Sequence, residues 1–388
     1  MHKPITATIR AEEQSLHISS DCFDFRLEFT DYTPAAENCY TGALWLALPI
    51  AMRLGRPLHI AGSLDQVSLD NAAKLVTIWT SWLPEFFRPI VVTCNEILTI
   101  HPGENRSPML MLFSGGVDSS YALCKDFIQQ GIKVDALTIH GMDYRYDDAP
   151  RFQALMEKTR PLRAQAIERH YLIKSNVVMQ MGRNGIGAGY GHGFHLFGCL
   201  FMFSGRYQQG AIAADFPLFI EYILAPWGTT TLTNSLFASS SFSVKTLCND
   251  VARPEKTGLL SQNPAALESL SFCVNYKFRP ENCGRCSKCV RTKANFLAET
   301  GVIPPIFSDN SFHPEDLNEM DMHVKVDRIA AINLINTAER TGQTELLAKL
   351  RQLMNNYIHN QETLAIKNKR KKRWLKKITN LKKLWKSD

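Results

Sequence analysis

The segment that most constrains this chain is an apolar run, Met109-Leu-Met-Leu-Phe113, that breaks at once into Ser114-Gly115-Gly116-Val117-Asp118-Ser119-Ser120. Five apolar residues ending in paired glycines read as a buried strand entering a tight turn. The Asp/Ser cluster after them reads as the start of a helix. Glycines carry no Cβ, so the backbone can turn sharply and approach a ligand closely. Free N–H groups at a helix start, with the hydroxyls of Ser114, Ser119 and Ser120 around them, suit a phosphate-type anion. No Lys follows the glycines, which excludes a Walker A loop, and G-x-G-x-x-G is absent too. A plain strand-to-helix turn with a polar cap is the alternative.

The surroundings favour a ligand loop. After the polar stretch 101–108, strands and helices alternate: a strand over 109–113, a helix over 119–130, a strand over 134–139 and a helix over 150–169. A strand over 171–174, a helix over 193–207 and a strand over 211–214 follow. This pattern predicts an α/β fold with a doubly wound parallel sheet, whose ligands bind at the carboxyl ends of the strands. The expected organisation is a small N-terminal α/β domain over 1–104, the sheet domain over 105–310, a helical C-terminal segment over 311–360 and a basic tail over 361–388.

Six of the ten cysteines are scattered singly. The other four cluster as Cys273-x9-Cys283-Gly-Arg-Cys286-Ser-Lys-Cys289. Four thiolates at this spacing suit a closed tetrahedral zinc site, and C-x2-C-x2-C also suits an iron–sulfur cluster. One cluster beside dispersed thiols fits a reducing cytoplasm better than a disulfide scaffold.

The Ser-Gly-Gly-Val-Asp-Ser motif resembles the PP-loop of the ATP pyrophosphatase superfamily, with its adenine nucleotide alpha hydrolase-like fold. Together with the cysteine block about 160 residues later, it resembles the 7-cyano-7-deazaguanine synthase family over roughly residues 109–298. The likeness extends to related synthase-like and asparagine-synthase-like bacterial proteins through His140-Gly141-x-Asp143, Pro226-Trp227-Gly228 and the Cys283–Thr292 block. The segments 1–104 and 310–388 are not explained by the synthase, and a long insert, Leu218 to Ser243, replaces a shorter loop.

The resemblance implies an ATP-dependent, AMP-forming ligase that adenylates a substrate carboxylate or carbonyl oxygen and releases pyrophosphate. It implies ATP, Mg2+ and Zn2+ as cofactors. Asp118 and Ser119 are the expected catalytic residues, and Ser114, Gly115, Gly116, Val117, Ser120, His140 and Asp143 are expected to join them in binding nucleotide. Asp118 would lie beside phosphate and magnesium, so Asp118→Ala is expected to stop turnover with the fold preserved. The substrate is open between a small molecule and a protein terminus, and a homodimer is allowed for. The competing readings are a sulfur transferase acting on RNA and a nucleotide-binding partner in a multi-protein system.

Weaker signals surround these motifs. Asp215 ends a predicted strand at the ligand edge. Arg253, Lys256, Lys288 and Arg291 could neutralise pyrophosphate, though each taken singly reads as solvated charge. The Gly185–Gly193 run, with a Gly at every second position, reads as a flexible loop or a lid.

Hydrophobic residues at 45% and charged residues at 21% argue against disorder, and no apolar run reaches membrane-spanning length. The +7 net charge is local, because residues 367–388 hold eleven Lys or Arg and one acid. Removing those eleven of 44 basic and one of 37 acidic residues leaves a body of net charge −3. Trp374, Ile378, Leu381 and Trp385 recur at one helical stripe within this tail, which points to an anionic membrane surface or RNA as partner. A cytoplasmic protein, peripheral at the membrane through its tail, is the expectation.

Overall fold

The computed structural model describes residues 3–99 and 106–384, with side chains described through 363 and at Lys367. Residues 101–105 of the expected linker lie outside the described residues, as do the side chains of the tail stripe.

Ten strands form one sheet: β1 (Ile5–Glu12), β2 (Ser15–Ser19), β3 (Asp24–Thr30), β4 (Leu58–Leu64), β5 (Val92–Ile97), β6 (Ser107–Leu112), β7 (Val134–His140), β8 (Ile167–Ser175), β9 (Tyr207–Ala213) and β10 (Ser243–Leu247). Their order is β10-β9-β6-β7-β8-β3-β2-β1-β4-β5. The five strands β10-β9-β6-β7-β8 pair in parallel, as do β1-β4 and β4-β5, while β1-β2, β2-β3 and β3-β8 are antiparallel. The sheet is therefore mostly parallel and the protein α/β.

β6 is the first strand of the parallel half. The chain steps from it to β7 and β8 on one side, then returns to β9 and β10 on the other. The order reverses between β6 and β9, which opens a crevice at the carboxyl ends of those two strands.

The segment 1–104, expected as a separate small domain, shares this sheet through the β3–β8 ladder. It also shares the core. Trp45, on the helix Tyr40–Leu54, packs edge-to-face on Phe201 and Phe237, and Ile5, Phe25, Leu110 and Phe197 belong to one apolar cluster. The polar stretch at 101–108 interrupts the sequence without dividing the core.

The expected helix over 150–169 is two, Ala149–Lys158 and Arg160–Ala166. Pro161 lacks an N–H and its ring crowds the carbonyl four residues back, so the first helix ends at its C-cap Thr159, and residues 167–169 enter β8. The Gly185–Gly193 run is mostly helix, since Ala188–Phe201 starts directly after Gly187. Helices Lys325–Thr341 and Thr344–Leu384 complete the chain, the second running unbroken through the expected boundary at 360/361.

Candidate functional site

The crevice between β6 and β9 is a cavity of about 450 Å³, and the Ser-Gly-Gly loop forms one edge of it. β6 ends at Leu112, the loop turns, and helical backbone begins at Val117 with Gly116 as an extended N-cap. Gly115 has φ +72°, and a Cβ there would sit 2.7 Å from Thr159 Cγ2, so both conformation and space demand glycine. Ser119 Oγ accepts from Ser114 N–H at 3.3 Å and donates to the Gly116 carbonyl at 3.3 Å. Gly116 N–H in turn donates to Ser114 Oγ at 3.3 Å.

Asp118 faces two cations carried one turn apart on the helix Arg253–Leu260. Arg253 Nη2 lies 2.5 Å from Asp118 Oδ2, and Lys256 Nζ lies 2.9 Å from Oδ1. Lys256 is fully buried and donates a second bond, at 2.6 Å, to the Ala214 carbonyl beyond β9. Burial pushes the Asp118 carboxyl pKa up, but Arg253 and Lys256 outweigh it and hold the group below its usual value.

The opposite wall comes from the helix Ser287–Thr300, which turns Lys288, Arg291 and Thr292 into the cavity at i, i+3 and i+4 spacing. Arg291 is paired at 2.7 Å with the buried Asp327. Lys288 has no carboxylate within ion-pair distance among the described residues, and burial pushes its pKa below the ordinary lysine value.

That helix is held at its start by the cysteines. Cys286 is its N-cap, and the Sγ atoms of Cys273, Cys283, Cys286 and Cys289 all lie within 4.8 Å of one another. Cys273 and Cys286 are 3.8 Å apart, Cys283 and Cys289 3.9 Å. Four sulfurs placed tetrahedrally at about 2.3 Å from one ion stand about 3.8 Å apart, so the group can hold a metal such as zinc. Gly284, at φ +81°, makes the intervening turn, where a Cβ would lie 2.0 Å from the Asp309 carbonyl oxygen. The segment before Cys273 also reaches the loop: Ser271 N–H donates to the Gly115 carbonyl at 2.8 Å, and Tyr144 Oη sits 3.0 Å from Ser271 Oγ.

The remaining lining is largely apolar, with Met142, Tyr144, Phe216, Trp227 and Val274. Trp227 Nε1 and Thr229 Oγ1 both donate to Asp215 Oδ2, at 2.9 and 2.8 Å. The glycine run finds its reason here. Gly228 N–H donates to the Gly189 carbonyl at 2.9 Å, and a Cβ on Gly193 would lie 1.8 Å from the Gly228 oxygen. The small residues let the Pro-Trp-Gly segment press against the start of the helix Ala188–Phe201.

Ser114, Gly116, Val117, Asp118, Ser119, Asp143 and Asp215 thus meet at one cavity, with Arg253, Lys288 and Arg291. Three expected site residues do not line it. His140 donates from Nε2 to the Arg145 carbonyl at 2.7 Å and stacks on Phe152 at 4.4 Å between ring centres, so it builds the turn after β7. Ser120 is fully buried behind the loop, and Gly115 lies beneath it, tied to Ser271. Arg253 and Lys256 are not solvated charges. The signal for them was the spacing of Arg253-Pro-Glu-Lys256, which puts both on one helical face, but its partner is 135 residues away. Both Asp118 oxygens are engaged by cations. Comparison of the chain with protein-family models, with curated proteins and with solved structures returns no match in any of the three.

Proposed function

We propose that the protein is an ATP-dependent ligase that cleaves ATP between its α- and β-phosphates. The observation that carries this reading is the convergence of the Ser-Gly-Gly loop with Arg253, Lys288 and Arg291 at the sheet's switch point. Loop N–H groups and hydroxyls would bind the β- and γ-phosphates as one unit, and the three cations would neutralise pyrophosphate as it departs. A substrate carboxylate oxygen attacks the α-phosphorus, and the bond from that phosphorus to the bridging oxygen breaks. Pyrophosphate leaves with the electron pair. An amine or ammonia nitrogen then adds to the acyl carbon of the adenylate and AMP departs, completing an amide.

No Ser/His/Asp or Cys/His constellation is required, since positioning and charge do the chemistry. Asp118 acts here through Arg253, holding it toward the phosphates, while the buried Lys256 anchors the carboxylate from behind. The cysteine site is read as structural zinc. Sulfurs this close share one ion, whereas a multi-iron cluster spreads its ligands over several irons. The experiment that tests the reading is the identity of the nucleotide product, AMP with pyrophosphate or ADP with phosphate.

A further inference from the structure

The last helix packs on the body through its first turns. In Thr344–Leu384, Leu346 and Leu350 are buried against Val290, Ala294 and Leu334, with Leu353, Met354 and Tyr357 partly buried beside them. From Ile358 to Glu362 every side chain is exposed, although the helical backbone runs on. The 27 residues from 358 to 384 extend about 40 Å at 1.5 Å per residue. Most helical stability in proteins comes from packing an amphipathic face against a partner surface.

The sequence of the C-terminal end names the surroundings it fits. Eleven Lys or Arg and one acid fall between 367 and 388, and Trp374, Ile378, Leu381 and Trp385 follow the period of a single stripe. Five lysines, at 376, 377, 382, 383 and 386, fill other positions of the same span. A narrow apolar stripe with tryptophan near both ends, inside a cationic helix, matches the boundary between lipid headgroups and acyl chains. An anionic surface supplies the countercharge. A nucleic-acid partner would account for the lysines but leave the spacing of Ile378 and Leu381 without a role.

We propose that the C-terminal extension of the helix Thr344–Leu384 lies on an anionic membrane surface and tethers the body, which has its own cavity far along the chain, to that surface. No helix among the described residues is long and apolar enough to cross a membrane, so the attachment is interfacial.

The test is co-sedimentation of the full chain with phosphatidylcholine vesicles containing about one third phosphatidylserine, at roughly physiological salt. The full chain should pellet with these vesicles and bind at least about tenfold more weakly to pure phosphatidylcholine. The double variant Trp374→Ser/Trp385→Ser should bind the anionic vesicles about tenfold or more weakly, and Trp374→Leu/Trp385→Leu should restore binding. Unchanged metal content in the variants establishes that the body is intact. Absence of vesicle binding would overturn the proposal. So would binding indifferent to the serine pair, or displacement of the protein from vesicles by single-stranded RNA at equal charge concentration.

Discussion

Lys256 Nζ lies 2.9 Å from Asp118 Oδ1, and among the described residues Asp118 is the one carboxylate within ion-pair distance of this fully buried ammonium. The pair ties the helix after the Ser-Gly-Gly loop to the helix Arg253–Leu260, and the same carboxylate holds Arg253 at the cavity. Asp118 is therefore a structural counter-ion as well as a site residue, which changes what its substitution should do.

Asp118→Ala strands the fully buried Lys256 and the partly buried Arg253. It should cost about 3–5 kcal/mol of folding stability rather than leave the fold untouched. Adding Lys256→Met should recover part of that loss, so a double-mutant cycle in urea should give a clear coupling energy. Strict additivity of the two substitutions would show that the ion pair is not formed.

The same pair has a pH signature. The folded Asp118 pKa lies below the unfolded value near 3.8, so its contribution is complete above about pH 4. It is lost as pH falls through the lower folded value. Wild-type stability should drop below pH 4 with a slope that the double variant lacks, as followed by thermal melts across pH 2–5.

Purified protein should carry about one zinc per chain by elemental analysis. Cys283→Ser or Cys286→Ser should lower the melting temperature as well as activity, since ligand loss removes folding free energy and frees the start of the helix bearing Lys288 and Arg291. A brown protein with absorbance near about 400 nm would contradict a zinc centre.

Lys288 is the cavity cation left without an acid partner among the described residues, so it should answer directly to a bound anion. Lys288→Gln should weaken inorganic pyrophosphate binding about tenfold by calorimetry, the scale of one charge-assisted hydrogen bond. Lys288→Arg should retain most of the affinity. Equal affinity in wild type and Lys288→Gln would remove the residue from the site.

Much of this arrangement was legible in the chain. The strand, the loop and the helix around Ser114–Ser120 follow from local rules, as does the cysteine knuckle. What escaped was set by distant partners. β2 and β10 are short strands, and these and β4 are fixed by neighbours across the sheet, while the 1–104 segment looks separate until Trp45 meets Phe201. His140 sits at a ligand edge in sequence, yet Phe152 and the Arg145 carbonyl turn it away. Lys256 reads as surface charge until Asp118 and the Ala214 carbonyl are brought to it.

On the proposed chemistry, ATP is broken between its α- and β-phosphates. The most direct measurement is product analysis of α-labelled ATP incubated with the protein, magnesium, ammonium and the dialysable small-molecule fraction of a cell extract. Labelled AMP with stoichiometric pyrophosphate, reduced by Lys288→Gln, is the predicted result. Labelled ADP with inorganic phosphate, sensitive to the same substitution, would contradict it.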